Sequence, residues 1–488
     1  MVFSTPLFLC LFLPLALGLF HLSPRPLRLA VLTALSLCFY AWSDPRFVLL
    51  LVWTSAVDYA AGSLLAGETR LRLAPAGRRV VLTLSLVNSV GLLIFFKYGE
   101  AFLSLVTPSA ANGSNSAAMH IALPAGISFY TFESISYVVD IYRGKGSSAA
   151  SLYLRDARDR TAMFRLGCHV RGFIAFLCYI SQFPHLVAGP IIRFRELGEQ
   201  LIRPRTSVNR FGRGTMRFCI GLGKKVLIAD TLAPVVDQVF EAGAMNAGYI
   251  WIAAIAFALQ IYFDFSGYSD MAIGLASMLG FRFPENFDSP YKSESLTEFW
   301  RRWHMTLSRW LRDYIYIPLG GNRLGRARTA VNLMFTMVLA GVWHGAGTGF
   351  LVWGALHGAL LGFERTRVVT SDASPLRRFG RRVFLLLFLV VTWIFFRVGD
   401  GPVAAYFIVQ MFNPLARDFN WLVWQRISEW QFLFALAAGI IVVSLFPSSA
   451  RLARRPTPVG VAVAAIVFGA SLFMLLIRTS APFLYFRF

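Results

Sequence analysis

Apolar residues run almost unbroken through twelve stretches, at about 2–20, 27–42, 47–65, 80–96, 121–141, 173–188, 216–240, 249–265, 331–362, 383–396, 432–446 and 459–477. A helix crosses a bilayer with about 20 mostly apolar residues, and several runs approach that length. Arginines gather between the runs, where loops facing the cytoplasm collect positive charge. The pattern predicts an all-α, polytopic integral membrane protein with about 10–12 membrane-embedded helical segments. The stretches 110–118 and 370–382 read as loops.

Placing the Arg25/Arg28 loop in the cytoplasm puts the N-terminus outside, and the next basic loop (Arg70, Arg72, Arg78, Arg79) then falls inside as the rule requires. Segment 103–118 has Ser, Asn, Gly and Pro but no Lys or Arg, as an external loop should, and the arginine-rich 155–171 is internal. Runs 173–188 and 331–362 have arginines on both sides. Both are therefore predicted to be re-entrant, which requires protein to cover their backbone. The first has Pro184 and His185 and is short for a crossing; the second is interrupted at its middle by Gly341, Gly345, Gly347 and Gly349. A helix from Val331 would carry His344 about 20 Å inward, short of the roughly 30 Å hydrocarbon thickness. His344 is thus expected within the membrane.

A third pattern is amphipathic. Across 298–314 a period of 3.6 gathers Arg301, Arg302, Arg309 and Arg312 on one face and Trp300, Trp303, Leu307, Trp310, Leu311 and Tyr314 on the other, with His304 at the border. This predicts one helix lying in the interface. Its arginines suit water, lipid phosphate or a phosphorylated substrate equally.

Composition agrees with the membrane reading: 56% of the 488 residues are hydrophobic and 15% charged, against about 25% charged in soluble proteins, and mean hydropathy is +0.59. The net charge of +22 comes from 42 arginines and five lysines against 25 acids. Because the arginines lie between apolar runs, the charge points to the anionic cytoplasmic leaflet and not to nucleic acid. Five cysteines show neither C-x-x-C spacing nor pairing logic, so neither a disulfide framework nor a zinc site is expected. The first twenty residues lack a basic leader and a clear cleavage site and are predicted as a retained helix.

An ionisable side chain inside a membrane is costly and is a functional candidate by default. Desolvation keeps a histidine neutral and able to accept a proton, so His344 suits general-base work, with hydrogen bonding to a neighbouring helix as the alternative; His304, at the border of its helix, is able to face the interior. Asp264 and Asp270, in the run Gln260–Asp270, are placed to orient a histidine, line a wet tunnel or cap a broken helix. His357 reads as packing, and His21, His120, His169 and His185 have no partner visible in sequence. There is no G-x-S-x-G elbow, no metal cluster and no P-loop, since Gly221-Leu222-Gly223-Lys224-Lys225 lacks its spacing.

Trp303-His304 and Trp343-His344-Gly345 together resemble the membrane-bound O-acyltransferase (MBOAT) superfamily. Further blocks are similar to its bacterial branch: Ser128–Phe132, Gln182–Pro184, Ala188–Ile191, Asp264–Asp270, Asn286-Phe287 and Trp300–Gly321, the last ending Asp313-Tyr314-Ile315-Tyr316-Ile317-Pro318-Leu319-Gly320-Gly321. The resemblance covers about 48–397; the arginine-rich 151–171 is longer than the pattern leads one to expect. It implies one membrane domain over 1–488, with N-terminal helices (1–120), a core bearing the motifs (121–365) and C-terminal helices (366–488).

The resemblance further implies acyl transfer across a bacterial inner membrane. A cytoplasmic thioester, acetyl-CoA by preference, would meet a hydroxyl acceptor from the other side, with O-acetylation of an exopolysaccharide such as alginate as the outcome. His344 would be the essential base and His304 the second catalytic position. Trp303, Trp343, Arg301, Arg302, Asp264 and Asp270 are the candidate substrate-binding residues. No metal and no tightly bound cofactor are expected. Membrane lipid and a periplasmic acetyltransferase with its own serine nucleophile are the expected partners, the latter accounting for the missing serine motif. The alternatives are D-alanyl or other acyl transfer to a cell-wall polymer, a transporter relaying protons through His344, His304, Asp264 and Asp270, and an inactive scaffold.

Overall fold

The structure, a computed structural model, describes residues 2–68, 72–106, 122–154, 161–241, 243, 246–366, 374–454 and 456–477. It is 78% helical without strands among these residues. Among the described residues, six helices are long and apolar enough to cross a membrane, or seven if one bent pair counts as a single span. The chain is a multi-pass helical membrane protein. Arg70, most of the predicted external loop 103–118, the start of the internal stretch at 155–160 and the 370–373 part of the predicted loop 370–382 lie outside the described residues. The fold divides into two compact units, residues 1–215 with 272–284 and residues 216–271 with 285–488.

The first unit is built on α1 (Leu13–Leu22), α2 (Arg28–Ala41), α3 (Arg46–Leu65), α4 (Pro75–Val106), α5 (Ile127–Tyr142) and α6 (Ala162–Ser181). α3 packs against α4 and α5, and α2 against α6. The buried acid at the α3–α4 contact is satisfied within the protein, as a lipid surround demands: Asp58 on α3 accepts from Ser85 Oγ and Ser89 Oγ on α4, at 2.6 and 3.3 Å. His185, with no partner visible in the sequence, lies 3.2 Å from a Glu133 carboxylate oxygen. α6 corrects an expectation. The helix continues back through Arg171 and Arg165 to Ala162 and is long enough to cross, whereas the sequence suggested a short re-entrant segment at 173–188. Arginine is a good helix former, and both residues are exposed, so the charges that looked like a loop belong to the N-terminal half of the helix itself.

The second unit contains α7 (Val208–Gly223, from Met216 onward), a π-helical turn at Lys224–Ala229, α8 (Asp230–Glu241) and α9 (Ala247–Met278, as far as Met271). α9 runs unbroken through Asp264 and Asp270 and is the most enclosed candidate span, 83% buried. The acids therefore do not cap a break. α10 (Leu296–Arg302) and α11 (Met305–Leu311) follow. Then come α12 (Gly325–His344), α13 (Thr348–Thr366), α14 (Pro375–Val398), α15 (Gly401–Met411), α16 (Trp421–Ser428), α17 (Trp430–Leu445) and α18 (Pro458–Ile477). Residues 375–382 belong to α14 and not to a loop, because Ser374 caps Arg377 N and Pro375 opens the helix. α16 and α17 bend by 59° where they join.

Two features of this unit position the site. α12 and α13 form an antiparallel hairpin turning at 345–347, so the chain returns toward the side it came from, as the glycine run predicts. A β-carbon on Gly354 would lie 2.5 Å from the Met337 carbonyl oxygen, so glycine there lets the arms pack backbone to backbone. The second feature corrects the single amphipathic helix expected over 298–314. It is broken: Trp303 is extended and His304 is left-handed, with φ 41° and ψ 53°.

Candidate active site

α10 is anchored at its start from α13. Glu364 accepts hydrogen bonds from Leu296 N, Thr297 N and Thr297 Oγ1 at 2.6, 2.8 and 2.6 Å, satisfying backbone donors that a helix N-terminus leaves open. Seven residues later the helix stops and the chain turns His304 inward, where it is 1% exposed. A left-handed conformation at a non-glycine residue is costly and persists only where the surroundings enforce it. Here Asn286 enforces it. Its backbone oxygen accepts from Met305 N at 2.9 Å, and its Oδ1 accepts from Thr306 N at 3.3 Å and Thr306 Oγ1 at 2.9 Å and faces His304 Nδ1 at 3.1 Å. Asn286 Nδ2 in turn donates to Ser269 Oγ on α9 at 3.1 Å. The His304 ring sits edge-on to Phe265, centroids 4.7 Å apart, and burial pushes its imidazole down to about 3. His304 is neutral at physiological pH.

His344 is the last residue of α12, at the turn of the hairpin and 5% exposed. Aromatic rings surround it: Trp343, Trp353 and Phe396 lie 4.7, 5.5 and 4.8 Å away between centroids. Trp393 packs on Phe396 at 5.3 Å, on Trp353 at 5.9 Å and on Trp303 at 5.2 Å. One aromatic wall therefore carries both histidine-bearing segments. Trp303 and Trp343 are buried parts of that wall. His357 packs as expected and is hydrogen-bonded on both ring nitrogens, receiving Trp300 Nε1 at 3.3 Å and meeting Thr392 Oγ1 at 3.2 Å.

The two acids find lysines. Asp264 lies 2.7 Å from Lys225 Nζ, which is also 2.7 Å from Asp230. Asp270 lies 2.7 Å from both Lys224 Nζ and Arg217 Nε, and Arg217 continues to Glu285 at 2.6 Å. Buried charges persist when paired in this way. The lysines reach α9 because α7 and α9 touch at Gly221 and Gly267, where a β-carbon on either residue would lie within 2.7 Å of the other's carbonyl oxygen. Lys224, Lys225, Arg217 and Asn286 are the site-supporting residues that the sequence reading did not assign. The one available signal was opposite charges within separate apolar runs, which pair when the runs pack.

The arginines of α10 and α11 diverge. Arg302 pairs with Glu298 at 2.9 Å. Arg301 instead lines a cavity of about 890 Å³ together with Arg309, Arg312, Arg365, Trp300, Met305, Met337 and Leu361. Guanidinium groups over an apolar throat suit a ligand with phosphates at one end and an uncharged chain at the other. Among the described residues, no group of three His, Cys, Asp or Glu side chains is placed to hold a metal ion.

Comparison with known proteins gives the same direction. A model described as MBOAT, membrane-bound O-acyltransferase family, matches residues 110–398. The chain is 39% identical to the probable alginate O-acetylase AlgI of Pseudomonas putida over all of both chains. It is 43% identical to that of Azotobacter vinelandii over 85% of this chain and 78% of the relative. It is also 35% identical to the peptidoglycan O-acetyltransferase of Helicobacter pylori, over 82% and 77%. With a family match over residues 110–398 and relatives 35–43% identical over most of both chains, this chain belongs to the membrane-bound O-acyltransferase family and is an O-acyltransferase.

Proposed function

We propose that the chain moves acetyl from cytoplasmic acetyl-CoA across the inner membrane for O-acetylation of an exopolysaccharide such as alginate, with His344 as general base. The observation that carries this reading is the hairpin: it holds a buried histidine at its turn, beside a wall shared with His304. The names of the relatives, alginate O-acetylase and peptidoglycan O-acetyltransferase, support acetyl as the group and a glycan as the recipient. The arginine-lined cavity supports a phosphate-bearing donor.

The chemistry then runs as follows. Neutral His344 takes the proton of the incoming hydroxyl as its oxygen attacks the thioester carbonyl carbon. The tetrahedral oxyanion collapses, the new C–O bond remains and the C–S bond breaks. The departing thiolate receives the proton from the imidazolium, which restores the base. His304 positions the donor or stabilises the oxyanion. A periplasmic acetyltransferase with its own serine would accept the acetyl group and place it on the polymer.

Proteoliposomes holding alginate oligosaccharides inside and [14C]acetyl-CoA outside test the pathway. Label appearing on trapped acceptor, or on a periplasmic partner enclosed with it, supports the reading. Release of unmodified solute with no acetyl transfer points to a transporter instead. Label on oligosaccharide from the chain alone would remove the need for the partner.

A further inference from the structure

The proposed function leaves two roles for His304, and they need opposite hydrogen-bonding states: an oxyanion requires a donor, whereas holding a hydroxyl or amide N–H requires an acceptor. Asn286 decides between them. The atom of Asn286 that faces Thr306 meets a backbone N–H, which can only donate, so that atom is the amide oxygen. The opposite side is compatible with this orientation, Asn286 Nδ2 donating to Ser269 Oγ, a hydroxyl that can take either role. The same oxygen faces His304 Nδ1 at 3.1 Å. An oxygen with no proton to give requires Nδ1 to carry one. In a neutral imidazole the other nitrogen is then the acceptor.

We infer that Asn286 is a positioning residue that locks His304 as its Nδ1–H tautomer in the left-handed turn, so that the lone pair sits on Nε2 and His304 can serve the reaction as a proton or hydrogen-bond acceptor and not as an oxyanion donor. The inference rests on the proposed function only for the part His304 takes in the reaction; the Nδ1 proton follows from the hydrogen bonds, and the lone pair on Nε2 from the neutral state of a ring that is 1% exposed. The lock is well built. Asn286 is 1% exposed and grips three consecutive residues, through His304 Nδ1, Met305 N and both the N–H and hydroxyl of Thr306. It is itself tied to α9 through Ser269. The oxyanion donor must then come from another group.

The test reads the tautomer directly. The full chain, labelled with 15N-histidine and held in nanodiscs, has seven histidines, and His304→Gln identifies the signals of interest by their loss. The expected spectrum shows His304 with a protonated Nδ1 and a bare Nε2 at neutral pH. Asn286→Leu removes the acceptor and shifts or splits that signal, and CoA release from acetyl-CoA falls about 100-fold, the scale of one acid–base group. Asn286→Asp keeps an acceptor oxygen and restores the rate to within about tenfold, a recovery that a role in packing alone would not need. A proton on Nε2 of His304 in the parent protein, or a spectrum unchanged by Asn286→Leu, overturns the inference. Full CoA release by His304→Gln would instead overturn the assignment of His304 to the reaction while leaving the tautomer reading intact, so the two failures are distinguishable.

Discussion

Replacing Lys225 by Met should destabilise the second unit far more than replacing Asp264 by Asn, although both changes break the same 2.7 Å ion pair. The asymmetry follows from counting charges. One ammonium lies between two carboxylates, Asp264 and Asp230, with Lys225 and Asp264 side chains each 3% exposed and Asp230 14%. Removing the cation leaves two anions facing each other in a water-poor interior, and breaking a buried pair in this way costs about 3–5 kcal/mol. Removing one anion leaves Lys225 balanced against Asp230, with an amide oxygen still in place to accept from it, a loss of about 1 kcal/mol. The double variant Lys225→Met/Asp264→Asn should recover part of the larger loss, because one of the two stranded charges is gone while Asp230 remains unpaired by Lys225. The assay is a double-mutant cycle on thermal unfolding in nanodiscs, with monodispersity after heating as the second readout. Equal destabilisation by the two single changes, or a double variant no better than Lys225→Met, would refute the charge-counting argument.

Two further outcomes are expected. Arg301→Glu and Arg365→Glu should each raise the KM for acetyl-CoA about tenfold with little change in kcat, since the cavity they line is assigned to binding the donor's phosphates and not to the chemical step; measured KM at two salt concentrations checks this, with the parent weakening as salt rises. Because burial lowers the His304 pKa to about 3, the unfolded chain binds more protons than the folded one between that value and about 6.5. The contribution of His304 to stability should therefore rise with pH across this window and be lost as pH falls through it. His304→Gln should flatten the slope of melting temperature against pH, and an unchanged slope would remove His304 as its source.

What could be read from the sequence was whatever depended on neighbours along the chain. The hairpin turn was legible because glycines interrupt an apolar run that has arginines at both ends, and backbone close-packing at Gly354 is the physical counterpart of that composition. The break at His304 was not legible, because α10 and α11 keep the 3.6-residue periodicity on either side of it and the residue enforcing the turn, Asn286, lies 18 positions away. The boundaries of α6 and α14 were misjudged for a local reason: arginines at a membrane surface serve equally as loop residues and as the first turns of a long helix. Asp264 and Asp270 were visible as buried acids, but their lysines lie about forty residues upstream on another run, and only the contact of α7 with α9 brings them together.

The central claim is that the imidazole at the hairpin turn removes the acceptor's proton. Acetyl transfer to alginate oligosaccharides by His344→Ala, assayed with the periplasmic fraction present and at matched amounts of membrane-inserted protein, tests it most directly. Transfer abolished, with the variant accumulating in the membrane at the parental level, is the expected result. Transfer at the parental rate would contradict it.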